Sequence, residues 1–505
     1  MAASRLSPLS VFYRAGETVI RLAWVLVIAT VGSRSMGVPT VAGVGVVAAG
    51  FVLALLYQFV YWQRYEYELT GDTFDIRSGV FSRRTREIPL GRVQNVDLQR
   101  NVVQRALGIA EVRLETAGGS DTEAQLRFVG DEEAGRLRDA ISRRKRGTGE
   151  GSDEPEPEPD LLFAVTPREL LILGLTSVDL RLLSLASVFL PVVLPSLTDE
   201  FADPLLSFAM AAPLGAFGLV LAAAVISGLY SITNYYGFRL SRAGSELRYE
   251  RGLLQQFAGS IPLEKVQTLA VSENVLARWL GYASLSVETA GYAPGDSSGS
   301  QSAVPIAERD RVFALARSID SFGDPDWQRP PKRARTRYVV RYTALVLVLT
   351  GIAYAVDRFT GLSYAWYYVL VGVPLAPVGA HLKWRNLAYA VCEDHVLTRA
   401  GFWSRETRVV PYYRVQTVVQ SGTVFQRRRD LATVLIDTAG GGGITGNDAR
   451  AIDIDASAAT DLRETVNGRL QDSLTEARAA RRRRRLESVV SSGGRGSGAG
   501  VSPGD

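Results

Sequence analysis

Two basic positions recur at fixed places in this 505-residue chain, and they are the residues best suited to bind an anion. The second position follows the first by 13 residues each time (105−92, 278−265 and 427−414); the pairs are Arg92 and Arg105, Lys265 and Arg278, and Arg414 and Arg427. Because arginine binds phosphate through two parallel hydrogen bonds, paired cations beside a bilayer suit anionic lipid headgroups. The alternative, which the pattern favours, is that each cation pairs with a carboxylate of its own domain, such as Glu115, Glu288 or Asp437. All six cations are therefore candidate contacts for a headgroup or a protein partner.

A second candidate site is a short stretch that starts with apolar residues and continues with arginines. It first occurs at residues 80–86, is repeated at residues 402–408, and is apolar but uncharged at residues 253–257. Apolar side chains next to arginines suit a loop that enters the membrane interface and binds headgroups. A solvated turn explains the same residues equally well. The candidate headgroup contacts of the first occurrence are Arg83, Arg84 and Arg86.

Nothing in the sequence predicts an enzyme, a cofactor or a metal site. The two histidines, His381 and His395, do not stand at metal-ligand spacing, and the single cysteine, Cys392, can form neither an intrachain disulfide nor a zinc cluster of thiolates. No Gly-x-Ser-x-Gly motif or phosphate-binding P-loop occurs in the sequence. The run Arg481–Arg485 suits anionic lipid or a solvated tail better than nucleic acid, because it has no interleaved aromatic residues. We expect no catalytic residue, no cofactor, no metal and no nucleic-acid partner.

The candidate residues belong to a supersecondary unit that the sequence repeats three times. Each copy begins with the pattern Pro-x-x-basic-Val-Gln and closes on Thr-Ala-Gly, and the distance from Pro to Thr is always 27 residues (116−89, 289−262 and 438−411). A two-ended spacing that is kept through three copies indicates one fold used three times. Alternating apolar residues around each motif predict short antiparallel strands, followed by one closing helix.

Long apolar runs separate the strand domains and predict about six transmembrane helices in three hairpins. The first hairpin combines residues 19–31 with 38–62, and the third combines residues 339–356 with 366–380. In the second hairpin, residues 208–230 form the second span. The segment before it, residues 168–197, is either one span or an interfacial helix plus a short span. Asp179 and Arg181 favour the latter, because a charge near the bilayer centre costs about 2.5–3.5 kcal/mol.

The predicted order is therefore hairpin and strand domain, three times over. The segments are a hairpin at 1–63, a strand domain at 64–146, an acidic Pro-rich linker at 147–166, an interfacial helix plus hairpin at 167–232, a strand domain at 233–322, a basic linker at 323–337, a hairpin at 338–385, a strand domain at 386–475, and a disordered Arg-rich and Gly/Ser tail at 476–505. Lysine and arginine are concentrated at the domain-side ends of the apolar runs. By the positive-inside rule, the domains and both termini of this multi-pass plasma-membrane protein are expected in the cytoplasm. Residues 1–16 lack the apolar core of a cleavable signal, so none is expected.

The combined pattern resembles the prokaryotic pleckstrin-homology (PH-like) domain of multi-span membrane proteins from bacteria and archaea. The resemblance rests on an Arg-x-Gly turn, the Pro-x-x-Arg-Val-Gln strand, a Leu-Gly turn and the Thr-Ala-Gly strand end; the third copy departs from it at Arg429-Asp430, where Leu-Gly is expected. It implies an α+β membrane protein in which each copy is a bent antiparallel β-barrel of about seven strands, capped by a C-terminal helix. The recurring glutamines are expected to make buried hydrogen bonds at a barrel corner; they are Gln94, Gln267 and Gln416.

The function expected from these observations is that of a non-enzymatic scaffold, or of a module that binds lipids or partners at the membrane surface. Spans that tether each domain let weak contacts act at a high effective concentration. The expected partners are membrane lipids, in particular anionic headgroups, and a protein partner in the membrane. The alternative is a component of a transport or export system with the domains as regulatory gates. Asp179 and Arg181 are the charges that such a path would use.

Overall fold

The computed structural model describes residues 4–11, 13–14, 17, 40–116, 124–145, 159–177, 204–289, 302–360, 366–439 and 448–493. The chain forms two compact units, Met1–Lys265 (unit 1) and Val266–Asp505 (unit 2). We number the three copies of the sequence repeat in chain order as repeats 1, 2 and 3. The boundary between the units falls inside repeat 2, so the first half of this repeat belongs to unit 1 and its second half to unit 2.

Repeat 1 consists of two antiparallel sheets and a closing helix. It follows helix α1 (Thr40–Gln63), and its first sheet has the order β1-β2-β3-β4, with β1 at Ser4–Arg5, β2 at Glu66–Leu69, β3 at Thr73–Ser78 and β4 at Arg84–Pro89. A 3-10 turn at Leu90–Arg92 leads to β5 (Val93–Asn101), helix α2 (Val102–Ala106), β6 (Ile109–Thr116), β7 (Ala124–Gly130) and helix α3 (Asp131–Lys145). Alternate strand residues such as Phe74, Ile88 and Leu114 are buried, and α3 closes the core with Leu137 and Ile141. The predicted strands and closing helix are confirmed for this repeat.

A seven-stranded sheet joins repeat 1 to the first half of repeat 2 within unit 1. The added strands are β8 (Asp160–Ala164), β9 (Arg239–Ala243), β10 (Glu246–Arg251) and β11 (Gln255–Pro262), and the sheet order is β7-β6-β5-β11-β10-β9-β8. Between β5 and β11, Asn101 lies opposite Gln255 and Leu98 lies opposite Ala258. Residues 160–164 were predicted to be linker. That prediction is wrong, because they form an edge strand that buries Phe163 beside β9.

Unit 2 repeats this arrangement between the second half of repeat 2 and repeat 3. Its six-stranded sheet has the order β14-β13-β12-β17-β16-β15, and a three-stranded sheet β18-β19-β20 completes repeat 3. The strands are β12 (Val266–Asn274), β13 (Tyr282–Thr289), β14 (Ser302–Glu308), β15 (Ala388–Val391), β16 (His395–Ala400), β17 (Ser404–Pro411), β18 (Val415–Ser421), β19 (Leu431–Thr438) and β20 (Ala449–Asp455). Between β12 and β17, Asn274 lies opposite Ser404.

The remaining helices are of very different lengths. Unit 1 contains α4 (Pro167–Thr176) and α5 (Pro204–Tyr235); unit 2 contains α6 (Val275–Leu280), α7 (Arg309–Ile319), α8 (Lys332–Thr360), α9 (Gly372–Arg385), α10 (Val424–Arg427) and α11 (Ala456–Gly493). Helix α11 passes residue 476, where a disordered tail was predicted. Its Ala-, Arg- and Glu-rich sequence explains the longer helix, since these residues have high helix propensity.

The prediction of six membrane-spanning helices in three hairpins is wrong. Within the described residues, one segment, Lys332–Ala355 of α8, is long and apolar enough to cross a membrane, and the apolar segment Ala49–Gln63 of α1 is shorter. Helix α9 contains only 14 residues, or about 21 Å at 1.5 Å per residue, because a 3-10 turn at Trp366–Val371 precedes it. The hydrocarbon core of a bilayer is about 30 Å thick. The spans predicted at 19–31 and 182–197 lie outside the described residues.

Each strand that follows a 3-10 turn carries a β-bulge at its glutamine. The strand register shifts between Val93 and Asn95 in β5, and equivalent shifts occur in β12 and β18. The recurring glutamine is therefore the extra residue of a bulge, which bends the strand. Gln267 is buried as predicted, whereas Gln416 is exposed. The prediction of a buried glutamine is wrong for Gln416.

Helix α8 is fixed to repeat 3 through a buried carboxylate. Asp453 in β20 is fully buried and accepts hydrogen bonds from the Arg337 guanidinium (2.6 Å to each oxygen), the Tyr338 hydroxyl and the Gln426 amide (2.6 Å). Arg333, one turn earlier in α8, forms an ion pair with Asp455. These contacts join the basic end of α8 to the last strand of repeat 3.

Candidate functional site

The structure places the two recurring sets of cations at opposite ends of a strand. Arg92, Lys265 and Arg414 end the 3-10 turns before β5, β12 and β18, rather than lying in those strands as the sequence suggested. The second set lies in the short helices α2, α6 and α10; its members are Arg105, Arg278 and Arg427. Strand β5 contains nine residues, and a strand rises by about 3.3 Å per residue, which separates the two cations by roughly 30 Å. At that separation, one headgroup would not reach both cations of repeat 1.

Two cations of the second set, Arg105 and Arg278, lie at the junctions between repeats, whereas Arg427 lies in α10 at the end of the series of repeats. The Arg105 guanidinium in unit 1 donates a hydrogen bond of 2.7 Å to the main-chain oxygen of Leu253, in the turn before β11. Burial, reinforced by Arg405, lowers the pKa of Arg278 in unit 2. Arg427 is exposed, as is Arg92, whereas Lys265 and Arg414 are partly buried. Arg414 stacks over the Tyr413 ring at 4.7 Å.

The alternative interpretation was that each cation pairs with a carboxylate of its own domain. The structure gives one of these carboxylates, Glu288, a different partner. Glu288 of repeat 2 binds Arg408 of repeat 3, with 2.8 Å from one guanidinium nitrogen to each carboxylate oxygen. A second cross-junction pair joins Arg405 to Glu273, which is almost fully buried, at 2.8 and 2.9 Å. Sequence reasoning missed both pairs, because it treated each repeat as a closed unit. The signal was present in β12, whose Leu269-Ala270-Val271 run is typical of a strand buried on both faces.

The short helix of each repeat exposes apolar side chains at its start. An asparagine or threonine cap fixes where each helix begins: Asn101 caps α2, Asn274 caps α6 and Thr423 caps α10. The first two helical residues are then apolar and exposed in every copy: Val102 and Val103, Val275 and Leu276, Val424 and Phe425. Helix α6 adds Trp279, whose side chain is 83% exposed. These residues were not predicted from the sequence, although the capping residue before them indicates that a helix begins there.

The turn between the last two strands of each first sheet exposes further apolar residues. Phe81 is 94% exposed and Trp403 is 71% exposed, and Leu253 and Leu254 occupy the same position in repeat 2. The turn needs the glycine of the Arg-x-Gly motif. Gly401, for example, has a φ of 121°, and a Cβ atom there would collide with the carbonyl oxygen of Ser404. Arg83, Arg84 and Arg86 follow Phe81 and are exposed, as the sequence-based hypothesis requires.

In unit 1 these turns are held against the end of the preceding apolar helix. Arg64, directly after α1, donates a hydrogen bond of 2.9 Å to the Val80 oxygen, and Phe81 stacks on Tyr57 of α1 with 6.1 Å between ring centroids. In repeat 2, the Leu253 amide donates to the Thr233 oxygen in α5 at 2.8 Å. The exposed turn therefore lies where an apolar helix gives way to a strand domain. In a membrane protein, aromatic and arginine side chains at this position face the headgroups.

We call the combination of a short helix and the turn that pairs beside it a junction rim. The rim of unit 1 consists of Val102, Val103, Leu253 and Leu254, which the Arg105 hydrogen bond holds together. The rim of unit 2 consists of Leu276, Trp279, Phe402 and Trp403, brought together by the pairing of Asn274 with Ser404. Both rims combine apolar side chains, all exposed except the partly buried Phe402, with nearby arginines. Such a surface can enter a lipid interface while its arginines bind phosphate groups.

A small polar cavity lies beside the rim of unit 1. It has a volume of about 270 Å³, and its lining includes Arg100, Tyr236, Glu250, Arg251 and Phe257. Arg251 stacks on the Tyr235 and Phe257 rings at 4.8 and 4.7 Å, and its buried Nη1 has no hydrogen-bond partner in the part of the chain that the structure describes. Arg251 lines this cavity together with Arg100, so the cavity wall includes two guanidinium groups that can donate hydrogen bonds to an anion.

Comparison with known proteins identifies the repeats. The family described as "Bacterial PH domain" matches three times, at residues 19–145, 177–322 and 343–470. The chain belongs to the bacterial PH domain family. It is 25% identical over 428 residues to "UPF0699 transmembrane protein YdbT" of Bacillus subtilis (strain 168), covering 78% of this chain and 84% of that protein. It is also 36% identical over 84 residues to "UPF0699 transmembrane protein YdbS" of the same strain, covering 17% of this chain and 51% of that protein. No solved structure matches the chain.

These matches confirm the resemblance on which the fold prediction rested, with three PH-like domains in one chain. The described residues contain no group of three or more His, Cys, Asp or Glu side chains arranged to hold a metal ion. His395 is buried and lies 3.1 Å from the Asp320 carboxylate. Asp179 and Arg181, on which the transport alternative depended, lie outside the described residues. The side chains of Arg481–Arg485 lie outside them as well.

Proposed function

We propose that this protein is a membrane-associated, non-enzymatic PH-domain array whose junction rims and turn tips rest in the lipid headgroup region. The main support for this proposal is the position of Phe81, which is almost fully exposed and stacks on Tyr57 of the apolar helix α1. Exposing large apolar side chains to water is unfavourable, so an exposed tip beside an apolar helix favours a lipid environment. The relatives named as transmembrane proteins support the same assignment.

The proposed orientation has repeat 3 in the cytoplasm. The first turns of α8 carry five cations, Lys332, Arg333, Arg335, Arg337 and Arg341, whereas the far end has Asp357 and Arg358. The positive-inside rule puts the strongly basic end of a span on the cytoplasmic side. Because Arg337 and Arg333 bind Asp453 and Asp455, repeat 3 is attached to that end of the helix.

The proposed ligands are anionic lipid headgroups. Arg83, Arg84 and Arg86 follow the Phe81 tip and are exposed, and each basic residue near an anionic surface contributes about 1 kcal/mol of binding. The cavity next to Arg251 offers a second place for a headgroup phosphate, since its volume of about 270 Å³ is large enough for one phosphate group. The rims supply apolar anchoring, and the arginines supply the preference for negative charge.

The proposal is tested by placing a fluorophore on the turn tip. Because Cys392 is the single cysteine, a C392S background allows a polarity-sensitive dye to be attached at Phe81→Cys in the full-length protein, reconstituted in nanodiscs. The control site is Glu132→Cys in α3, whose native side chain is 89% exposed. We expect spin-labelled lipid to quench the dye at position 81 and aqueous iodide to quench the dye at position 132.

Comparing nanodiscs of phosphatidylcholine with nanodiscs containing phosphatidylglycerol tests the headgroup preference. The lipid quenching at position 81 should increase with the anionic lipid, and R83Q/R84Q should remove that increase while leaving the quenching in neutral nanodiscs. If iodide quenches positions 81 and 132 equally, the turn tip lies in water and the proposal is wrong. Equal quenching in both lipid mixtures would reject the headgroup preference alone.

A further inference from the structure

The two junctions between consecutive repeats are built on one plan. In each, the first strand of a repeat's second half (β5 or β12) pairs antiparallel with the last strand of the next repeat's first half (β11 or β17). Counted from the motif proline and the motif valine, Asn101 is equivalent to Asn274, and Gln255 is equivalent to Ser404. Since Asn101 faces Gln255 and Asn274 faces Ser404, the register is identical. The chain thus uses the same sheet-to-sheet contact twice.

This plan leaves two complementary strand edges. Strand β18 is the counterpart of β5 and β12, and strand β4 is the counterpart of β11 and β17. Within the described residues, β18 pairs with β19 alone and β4 pairs with β3 alone. The exposure of the strands agrees: residues 266–271 of β12 are all buried, whereas Gln416, Thr417 and Val419 of β18 are exposed. An unpaired edge exposes main-chain donors and acceptors that can bind another strand.

The two edges are also complementary in charge. Arg408, three residues before the motif proline of repeat 3, binds Glu288, the residue before the motif threonine of repeat 2. The equivalent residues at the unpaired edges are Arg86, three before Pro89, and Asp437, one before Thr438. Asp437 makes no hydrogen bond or ion pair within the described residues. Asp448 directly precedes the neighbouring strand β20, and both of its carboxylate oxygens are buried without a hydrogen-bond partner in the part of the chain that the structure describes.

The chain also contains the two parts of a third junction rim, a short helix in repeat 3 and a turn in repeat 1. A complete rim combines a short helix with the turn of the next repeat. Helix α10 exposes Val424 and Phe425, and the turn of repeat 1 exposes Phe81, the most exposed large apolar side chain among the described residues. Each half lies at the end of the chain's series of repeats, next to an unpaired edge.

We propose that β18 of one copy of this chain pairs with β4 of a second copy, in the register of the internal junctions. This register places Arg86 opposite Val419, close to Asp437 of the first copy, and Thr85 opposite Gln420. The occupant is a second copy, because both halves of the contact lie on the same chain and reproduce an interface that the chain already contains twice. The interface is head-to-tail, so it generates a chain or a ring of copies rather than a closed two-fold dimer. Copies held in one membrane plane meet at a high effective concentration, which favours such a contact.

Site-directed cross-linking tests the register. Two full-length chains with different affinity tags, both C392S, carry Thr85→Cys and Gln420→Cys and are co-expressed and oxidised in native membranes. Directly opposed residues in an antiparallel pair have Cα atoms about 4.5–5.5 Å apart, which is within disulfide range. We expect a mixed-tag dimer from this pair and at least about tenfold less from the control pair Thr85→Cys with Val419→Cys, whose side chains point to opposite sheet faces. Equal yields from both pairs would overturn the proposal.

A charge exchange tests the ion pair independently. R86D and D437R should each lower the yield of the cross-link between positions 85 and 420 by about tenfold, since a carboxylate or a guanidinium would then face its like. Co-expressing the R86D chain, which carries Thr85→Cys, with the D437R chain, which carries Gln420→Cys, should restore it. The control is R136D, on the exposed face of α3, which should leave the yield unchanged. A single chain with both cysteines that closes its disulfide within itself, or a failure of the exchanged pair to recover, would refute pairing between copies.

Discussion

Replacing Asp453 with alanine should detach the start of α8 from repeat 3. The carboxylate is fully buried and binds Arg337, Tyr338 and Gln426, so its removal leaves a guanidinium and an amide without their acceptor. Breaking a buried ion pair by deleting one partner costs about 3–5 kcal/mol. The Arg337 side chain is 17% exposed, so water can solvate part of it, and we take the lower end, about 3 kcal/mol. Since 1.4 kcal/mol corresponds to a factor of ten, local opening should become roughly 100-fold more frequent.

Amide hydrogen exchange of the full-length protein measures this opening directly. Peptides covering β20 and the first turns of α8 should lose protection by roughly 100-fold, while peptides from β6 in unit 1 should not change. Asp453→Asn is the matched control. Asp453 has a φ of 57°, a conformation that asparagine tolerates well, and the amide oxygen still accepts hydrogen bonds, so the loss should be closer to about tenfold. If Asp453→Ala exchanges within threefold of the wild type, or if both variants are equally unprotected, the carboxylate does not hold α8 as the structure indicates.

Three further substitutions follow from the local structure. Gly401→Ala should lower the free energy of unfolding of unit 2 by about 1–3 kcal/mol in calorimetry, because its Cβ meets the Ser404 oxygen, whereas Gly91→Ala, with nothing within 4 Å, should be nearly neutral. Burial and the neighbouring Asp437 raise the pKa of Asp448, so ionising this carboxyl group lowers the stability of the folded protein at pH values above both its folded and unfolded pKa. Asp448→Asn should therefore raise the thermal midpoint at pH 7 but not at pH 3. A higher thermal midpoint at pH 3 would contradict this assignment. Asn274→Ala removes the cap that accepts from the Ala277 amide at 2.7 Å and should cost about 1 kcal/mol, seen as faster exchange in α6, with Asn274→Ser largely restoring protection.

The strands and turns could be predicted from the sequence because their signals are local. Alternation in segments such as residues 73–78, the glycine of the Arg-x-Gly turn and the fixed distance from Pro to Thr each follow from backbone geometry within one repeat. The short helices were not predicted, although Asn101 and Asn274 are strong caps. The positive φ of Asp453 gives no sequence signal, since its buried partners come from α8 and α10.

The membrane-spanning helices and the partners of the cations could not be read correctly from composition. An apolar run such as residues 366–380 specifies hydrophobicity but not a continuous helix, and here a 3-10 turn takes up its first six residues. The carboxylate Glu288 was matched to cations of its own repeat, because a periodic sequence does not show which edge of a sheet is occupied. Arg408 reaches it only because β17 adds to β12.

Sheet continuity also changes how the repeats can be studied. Repeat 1 does not end at its own sequence boundary: Ala258 of β11 packs against the repeat 1 core, and Tyr249 of β10 donates a buried hydrogen bond of 3.3 Å to Asp97 of β5. A fragment covering residues 64–146 would expose the β5 edge to water and lose the hydrogen bond from Tyr249 to Asp97. Excision would disrupt repeat 2 most, because its strands belong to the sheets of both units. Lipid binding by excised domains would therefore report on misassembled edges, and an exposed β5 or β12 edge would itself promote association. Experiments on strand edges therefore need the full-length chain, in which, within the described residues, the edges of β5 and β12 are paired and those of β4 and β18 are not.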